Sequence, residues 1–285
     1  MTIGNESIGV GLPYHQLEKL TLWGYSHDSP SVAFLNKCTN LTFCSIHANR
    51  DLLARWTKPK RGLCMFVNLP KLVKLEIISW DSGWLLGYFS APALESITIP
   101  LKGPIEIEAF LAFLTRSNVA LKRLSIIDHI PWEEELLLKL LDALPHLTHL
   151  ELDELRLVQS GSHHAHWKPS RMFFDYFRTP SMMSAGSGLP LPQLTTFKYR
   201  GHFRNSDIVV DALEKMLLAR WNTNLFAGAS RLQVFSMSII NSPQSVAGLE
   251  RSPVVKELRN EGMHLAFKSV KQRMPMRVSA FRSGG

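Results

Sequence analysis

A short apolar phrase recurs eight times along this chain: a leucine or equivalent, two residues, a second apolar residue, one residue, and a third. The copies are Leu17-Leu20-Leu22, Leu41-Cys44-Ile46, Leu72-Leu75-Ile77, Leu94-Ile97-Ile99, Leu121-Leu124-Ile126, Leu147-Leu150-Leu152, Leu194-Phe197-Tyr199 and Leu232-Phe235-Met237. Their first positions are 24, 31, 22, 27, 26, 47 and 38 residues apart, and the first five steps average 26, the length of one strand plus one returning segment. The last two apolar positions of each copy are two apart, so they share one side of a short strand and point into a common interior. No unit can bury that side alone. Consecutive strands must therefore pair, and the returning segments must pack behind them as a stack.

The expected fold class is α/β: an irregular leucine-rich-repeat solenoid with parallel strands on one face and helices on the other. It should occupy residues 1–268 with an insertion at 159–190, and 269–285 reads as a disordered basic tail. Helical spacing of Ile107, Phe110, Leu111 and Leu114 predicts a helix over Ile105 to Asn118. A second is predicted to open at Pro131-Trp132-Glu133-Glu134-Glu135, where a helix start favours proline and acids, and to stop at Pro145. A third spans Asp207 to Trp221. Shorter turns are expected at Val32 to Cys38, Asp51 to Trp56, Gly83 to Ser90 and Arg171 to Phe177. Pro253 to Glu261 reads as a last short helix and His264 to Phe267 as a closing strand. The rings of Met172-Phe173-Phe174 and Tyr176-Phe177 are expected on the edge of the stack.

Composition narrows the function classes. No run approaches the roughly 18 apolar residues of a membrane-spanning helix, and Met1 to Gly11 lacks the basic start and apolar stretch of a secretory signal. A cytoplasmic or nuclear location is expected. Cys38, Cys44 and Cys64 show no paired metal spacing and are odd in number, so they read as reduced thiols. The patterns Asn5-Glu6-Ser7 and Asn40-Leu41-Thr42 match glycosylation sites by residue type only. Of the net charge of +8, +6 comes from residues 251–285, so the repeat body is nearly neutral. A nucleic-acid-binding surface would show Lys and Arg on most strands, which disfavours that class.

No phosphate loop, nucleophile elbow, dinucleotide fingerprint or zinc-protease helix is present, and no cofactor, metal or catalytic residue is assigned. His149, Glu151 and Asp153 alternate on one strand and could bind a metal or move protons, but every strand of such a stack displays alternating polar residues. His163, His164 and His166 read as a solvated insertion. The richer surface is the outward side of the strands. Counting from each first leucine places Lys19, Trp23, Phe43, His47, Lys74, Glu76, Arg123, His149, Glu151, Asp153, Lys198 and Arg200 there. Aromatic and Arg anchors among mixed charges are the composition of a protein-binding face.

The phrases Leu69-Pro70-Lys71-Leu72-Val73-Lys74-Leu75, Leu144-Pro145-His146-Leu147-Thr148-His149-Leu150 and Leu191-Pro192-Gln193-Leu194, with the closing Lys256-Glu257-Leu258-Arg259-Asn260-Glu261-Gly262-Met263, resemble the leucine-rich region of fungal F-box proteins. That resemblance covers nearly the whole chain. It implies a non-enzymatic substrate receptor of a cullin-type ubiquitin ligase, whose repeats hold an unidentified target protein. Only 16 residues precede Leu17, so binding of the ligase adaptor is expected only where an F-box lies upstream. The alternative is a stand-alone repeat scaffold or inhibitor without adaptor binding. A regular leucine-rich repeat carries asparagine eight residues after the first leucine; here only Asn49 does so, and backbone groups at the turns must be satisfied in another way.

Overall fold

The computed structural model describes residues 2–3, 13–23, 32–48, 67–79, 82–101, 103–127, 134–154, 167–179, 188–203, 206–222 and 228–271. Each of the eight phrases ends in a strand. In chain order the strands are β1 (Thr2–Ile3), β2 (Lys19–Trp23), β3 (Phe43–Ala48), β4 (Val67–Asn68), β5 (Lys74–Ser79), β6 (Phe89–Ser90), β7 (Ser96–Pro100), β8 (Arg123–Ile127), β9 (His149–Asp153), β10 (Thr196–Gly201), β11 (Val234–Ile240) and β12 (His264–Val270). Ten of them form one open parallel sheet ordered β1-β2-β3-β5-β7-β8-β9-β10-β11-β12, and β4 pairs with β6 in a separate two-stranded sheet. The order of strands thus follows the chain.

Helices return the chain between strands: α1 (Ser82–Tyr88), α2 (Pro104–Ser117), α3 (Glu134–Asp142), α4 (Arg171–Tyr176), α5 (Asp207–Trp221), α6 (Pro243–Arg251) and α7 (Pro253–Asn260). Val32–Lys37 is a 3-10 turn. The stripe expected on residues 105–118 becomes α2, ended by Asn118 in the left-handed region (φ 49°) with its N–H on the Leu114 and Thr115 carbonyls. The helix expected from Pro131 is described from Glu134 onward. No stripe predicted α6, where only Ser245 and Leu249 are buried. β12 extends through Val270, two residues past the expected end of the repeat region. The turn expected at Asp51 to Trp56, Asn49, Cys64, the three insertion histidines, the first glycosylation pattern and residues 272–285 lie outside the described residues.

The Leu-Pro-x-Leu phrases are β-turns. The N–H of Leu72 donates to the Leu69 carbonyl, Leu147 to Leu144 and Leu194 to Leu191, at 3.0–3.1 Å, and the same bond joins Leu41 to Cys38 and Leu94 to Ala91. Proline's fixed φ suits the second turn position in Pro70, Pro92, Pro145 and Pro192. Both leucines flanking each of the first three turns are buried. Immediately after the turn, one carbonyl accepts two N–H groups of the next copy. Glu18 takes Thr42 and Phe43, Thr42 takes Val73 and Lys74, Lys122 takes Thr148 and His149, and Thr148 takes Thr195 and Thr196. Thr42 and Thr148 add their hydroxyls to the same carbonyls, at 3.0 and 2.9 Å.

One continuous core runs from Leu20 to Phe267 behind the sheet. Toward its C-terminal end aromatic rings replace leucines. Phe177 stacks on Phe197 at 5.4 Å, Phe197 meets Phe235 edge-on at 5.4 Å, and Phe235 contacts Phe267 at 6.0 Å. The insertion's rings are therefore core rather than edge, contrary to expectation: Phe173, Phe174 and Phe177 are fully buried. The 47-residue step supplies the volume that fills the space beside Phe197.

Candidate functional site

Strand register turns the outward residues into rows that cross the sheet. The first row is Lys19, Phe43, Lys74, Ser96, Arg123, His149, Thr196, Val234 and His264. The second is Thr21, Ser45, Glu76, Thr98, Ser125, Glu151, Lys198, Ser236 and Ala266. A third row appears as Trp23, His47 and Ile78 at one end and as Pro100, Ile127, Asp153, Arg200, Ser238 and Lys268 at the other. In-register parallel strands lie about 4.8 Å apart, so side chains in one row are immediate neighbours. All the candidate residues fall on these rows.

A groove of about 810 Å³ runs over β5, β7, β8, β9 and β10 on this face. Its walls are the first two rows over these strands together with Val73, Glu95, Lys122 and Thr148, the residues just before β5, β7, β8 and β9. Counting from the phrase missed those four because they precede the strands. Their signal was present one residue beyond each first leucine, where the shared carbonyls sit.

The sheet face has two differently built ends. At β2 and β3, Trp23 stacks on His47 with centroids 3.8 Å apart and planes 13° from parallel, and Trp23 stays half exposed. His47 Nε2 lies 2.9 Å from Ser45 Oγ, which donates to Glu76 Oε2 at 3.3 Å. Lys74 pairs with Glu76 at 2.8 Å and sits 5.4 Å from the Phe43 ring centroid. This end is held by its own contacts. Over β8 to β10, by contrast, Arg123 and Lys198 make no ion pair among the described residues, while Lys122 binds Glu95 at 2.6 Å. His149 Nδ1 lies 2.8 Å from Thr148 Oγ1. Burial, and then the nearby Arg123 and Lys198 charges, hold its imidazole below the usual histidine range.

Asp153 departs from its expected exposure. It is buried, as are Pro100 and Ile127 in the same row, and it lies 3.6 Å from Arg200. His149 and Glu151 thus face the groove without Asp153 beside them, and among the described residues no three His, Cys, Asp or Glu side chains gather to hold a metal ion. Beyond Asp153, Glu154 is 4% exposed and contacts Tyr199 Oη at 3.1 Å, with the His202 N–H on its other oxygen at 3.3 Å. Tyr199 Oη also donates to the His202 carbonyl at 2.5 Å. Burial pushes the Glu154 carboxyl up to about 8. This cluster was read in the sequence only as the core position Tyr199. Among the described residues no helix is long and apolar enough to cross a membrane. Compared with known proteins, the chain matches no family model and no curated protein.

Proposed function

We propose that the chain is an irregular leucine-rich-repeat solenoid that works as a non-enzymatic protein-interaction module, holding a target protein on the outward face of its sheet. The observation that carries this reading is the continuous register of the first two rows of that face. Parallel in-register pairing sets the exposed Trp23, the free-standing Arg123 and Lys198, and an 810 Å³ groove on one surface. Trp and Arg, here Trp23 and Arg123, are among the side chains enriched at interface hot spots. The likeness of the Leu-Pro-x-Leu phrases to F-box receptors makes the held protein a candidate substrate of a cullin-type ubiquitin ligase.

Affinity purification with three forms of the chain tests the proposal. Proteins retained by the wild type should be lost with the face variant Trp23→Ala/Arg123→Glu/Lys198→Glu and kept with the helix-side variant Lys215→Glu. Loss with the helix-side variant alone would move the binding surface off the sheet. Co-purification of ligase adaptor and cullin with the target supports the ubiquitin connection, and their absence from a target-bearing eluate argues for a scaffold.

A further inference from the structure

Electrostatics divides the groove. Toward β5 and β7 its charges are internally matched, Lys74 with Glu76 and Lys122 with Glu95. Over β8 to β10 they are not: Arg123 and Lys198 stand without an ion pair among the described residues, and Glu151 is the one carboxylate between them on the first two rows. Arg123 is on the first row of β8 and Lys198 on the second row of β10, so their Cα atoms are separated by two strand spacings, about 10 Å, and by two residues along the strand. Side chains of their length reach toward a common point above His149 and Glu151. His149 stands between them on β9, where burial first and then both cations hold its imidazole below the usual histidine range. A positive region in a walled groove attracts anions more strongly than the same charges on an open surface.

We infer that the groove takes an extended acidic segment of a partner protein laid across the strands, with an Asp or Glu carboxylate of the partner received between Arg123 and Lys198. The inference rests on the sheet face being the binding surface. Four strand spacings separate β5 from β10, about 19 Å, so about six extended residues fill the groove. Arg123 supplies a planar fork for one carboxylate, Lys198 a point charge, and Glu151 penalises a second acid placed over β9.

The test is selection from random peptides displayed on phage, about a dozen residues long so as to exceed the groove. The wild type, Arg123→Glu/Lys198→Glu, and a groove-filled Ser96→Trp/Thr196→Trp form are the baits. Wild type should enrich Asp and Glu, and the charge-reversed form should enrich Lys and Arg. Synthetic peptides from the wild-type pool should bind Arg123→Ala/Lys198→Ala about tenfold more weakly or worse and Glu151→Gln more tightly. Unchanged thermal melting of the alanine form shows that folding is not the cause. Peptides lost with the filled groove but carrying no acidic bias overturn this inference alone. Peptides retained by the filled groove, or no selection at all, overturn the sheet-face reading with it. Displacement by a single-stranded oligonucleotide at lower concentration than by the peptide assigns the site to nucleic acid and also overturns the inference.

Discussion

Two buried polar side chains tie separate elements of the C-terminal half together. Arg220 is fully buried and, among the described residues, has no carboxylate on it; its guanidinium donates to the carbonyls of Phe177 at 2.8 Å, Leu191 at 3.1 Å and Pro190, and lies over the Phe177 ring. Burial brings its pKa down to about 10, so it remains charged at neutral pH. One arginine thereby joins α5, the end of α4 and the turn before β10, where Leu191 is in the left-handed region at φ 47°. A branched residue in that conformation persists only where its surroundings over-determine it. Arg220→Ala should cost about 3–5 kcal/mol in urea unfolding by leaving three carbonyls unsatisfied, and Arg220→Lys should recover less than half because an ammonium lacks the planar fork. Glu154 provides the pH-dependent counterpart. Tyr199 has a single proton, already committed to the His202 carbonyl, so a neutral Glu154 that donates to Tyr199 Oη satisfies the cluster better than a carboxylate does. Its folded pKa, about 8, lies above the ordinary glutamate value of 4.5. Its contribution is therefore fully present below about pH 4.5 and is lost as pH rises through about 8, a swing of at most about 5 kcal/mol. Melting temperatures measured from pH 5 to 9 should fall more steeply for wild type than for Glu154→Gln, and parallel curves would remove Glu154 from the account. Gly201 has to stay glycine beside it, since a Cβ there would lie 2.5 Å from Tyr199 Oη and 2.6 Å from Glu154 Cδ.

At the level of elements, two devices satisfy backbone groups at strand starts and helix ends among the described residues. At the strand starts, a carbonyl of each copy takes two amides of the next. At the helix ends, arginines reach backbone oxygens: Arg116 of α2 donates to Leu86 and Phe89, Arg220 of α5 as described, and Arg259 of α7 to Leu265 while pairing with Glu250. Helices that end so close to the next turn need a sharp stop. Asn118 provides it for α2, and Asn118→Gly should leave stability unchanged or raise it slightly in thermal unfolding, whereas Asn118→Val should cost about 1–2 kcal/mol. The strands and α2, α3 and α5 were legible in the sequence because each element had to satisfy a fixed spacing of buried side chains. α6 was not, because Pro243-Gln244-Ser245-Val246-Ala247-Gly248-Leu249 buries too few apolar groups to leave a stripe. The face rows were legible by counting two residues at a time. The burial of Asp153, the Glu95 and Lys122 walls and the Glu154 cluster were not, because they depend on how neighbouring copies close over one another rather than on any one copy.

For the molecule as a whole, the order of strands means that each strand of the large sheet pairs with strands near it in the chain. Among the described residues β12 is the last strand of the sheet on this side, with α7 packed beside it. β12 pairs with β11 along seven residues, Val255 and Leu258 of α7 are buried, and Trp221 donates its indole N–H to Glu261. Lys256, Glu257 and Asn260 are exposed on this unit. Removing residues 252–285 would uncover β11, whose inward Phe235, Met237 and Ile239 are at most 1% exposed in the intact chain. A bare edge of that length with an apolar side is a template for pairing with a second chain. The truncated protein should therefore associate in a concentration-dependent way in size-exclusion chromatography with light scattering, and its tryptophan emission should shift to longer wavelength as Trp221 loses cover. Ser236→Lys and Ser238→Lys, which place charges on the outward side of β11, should return the truncated protein toward monomer if edge pairing is the cause. A truncated chain that stays monomeric with an unshifted emission would show that the sheet ends at β11 without help, and that α7 and β12 are attached to the stack rather than closing it.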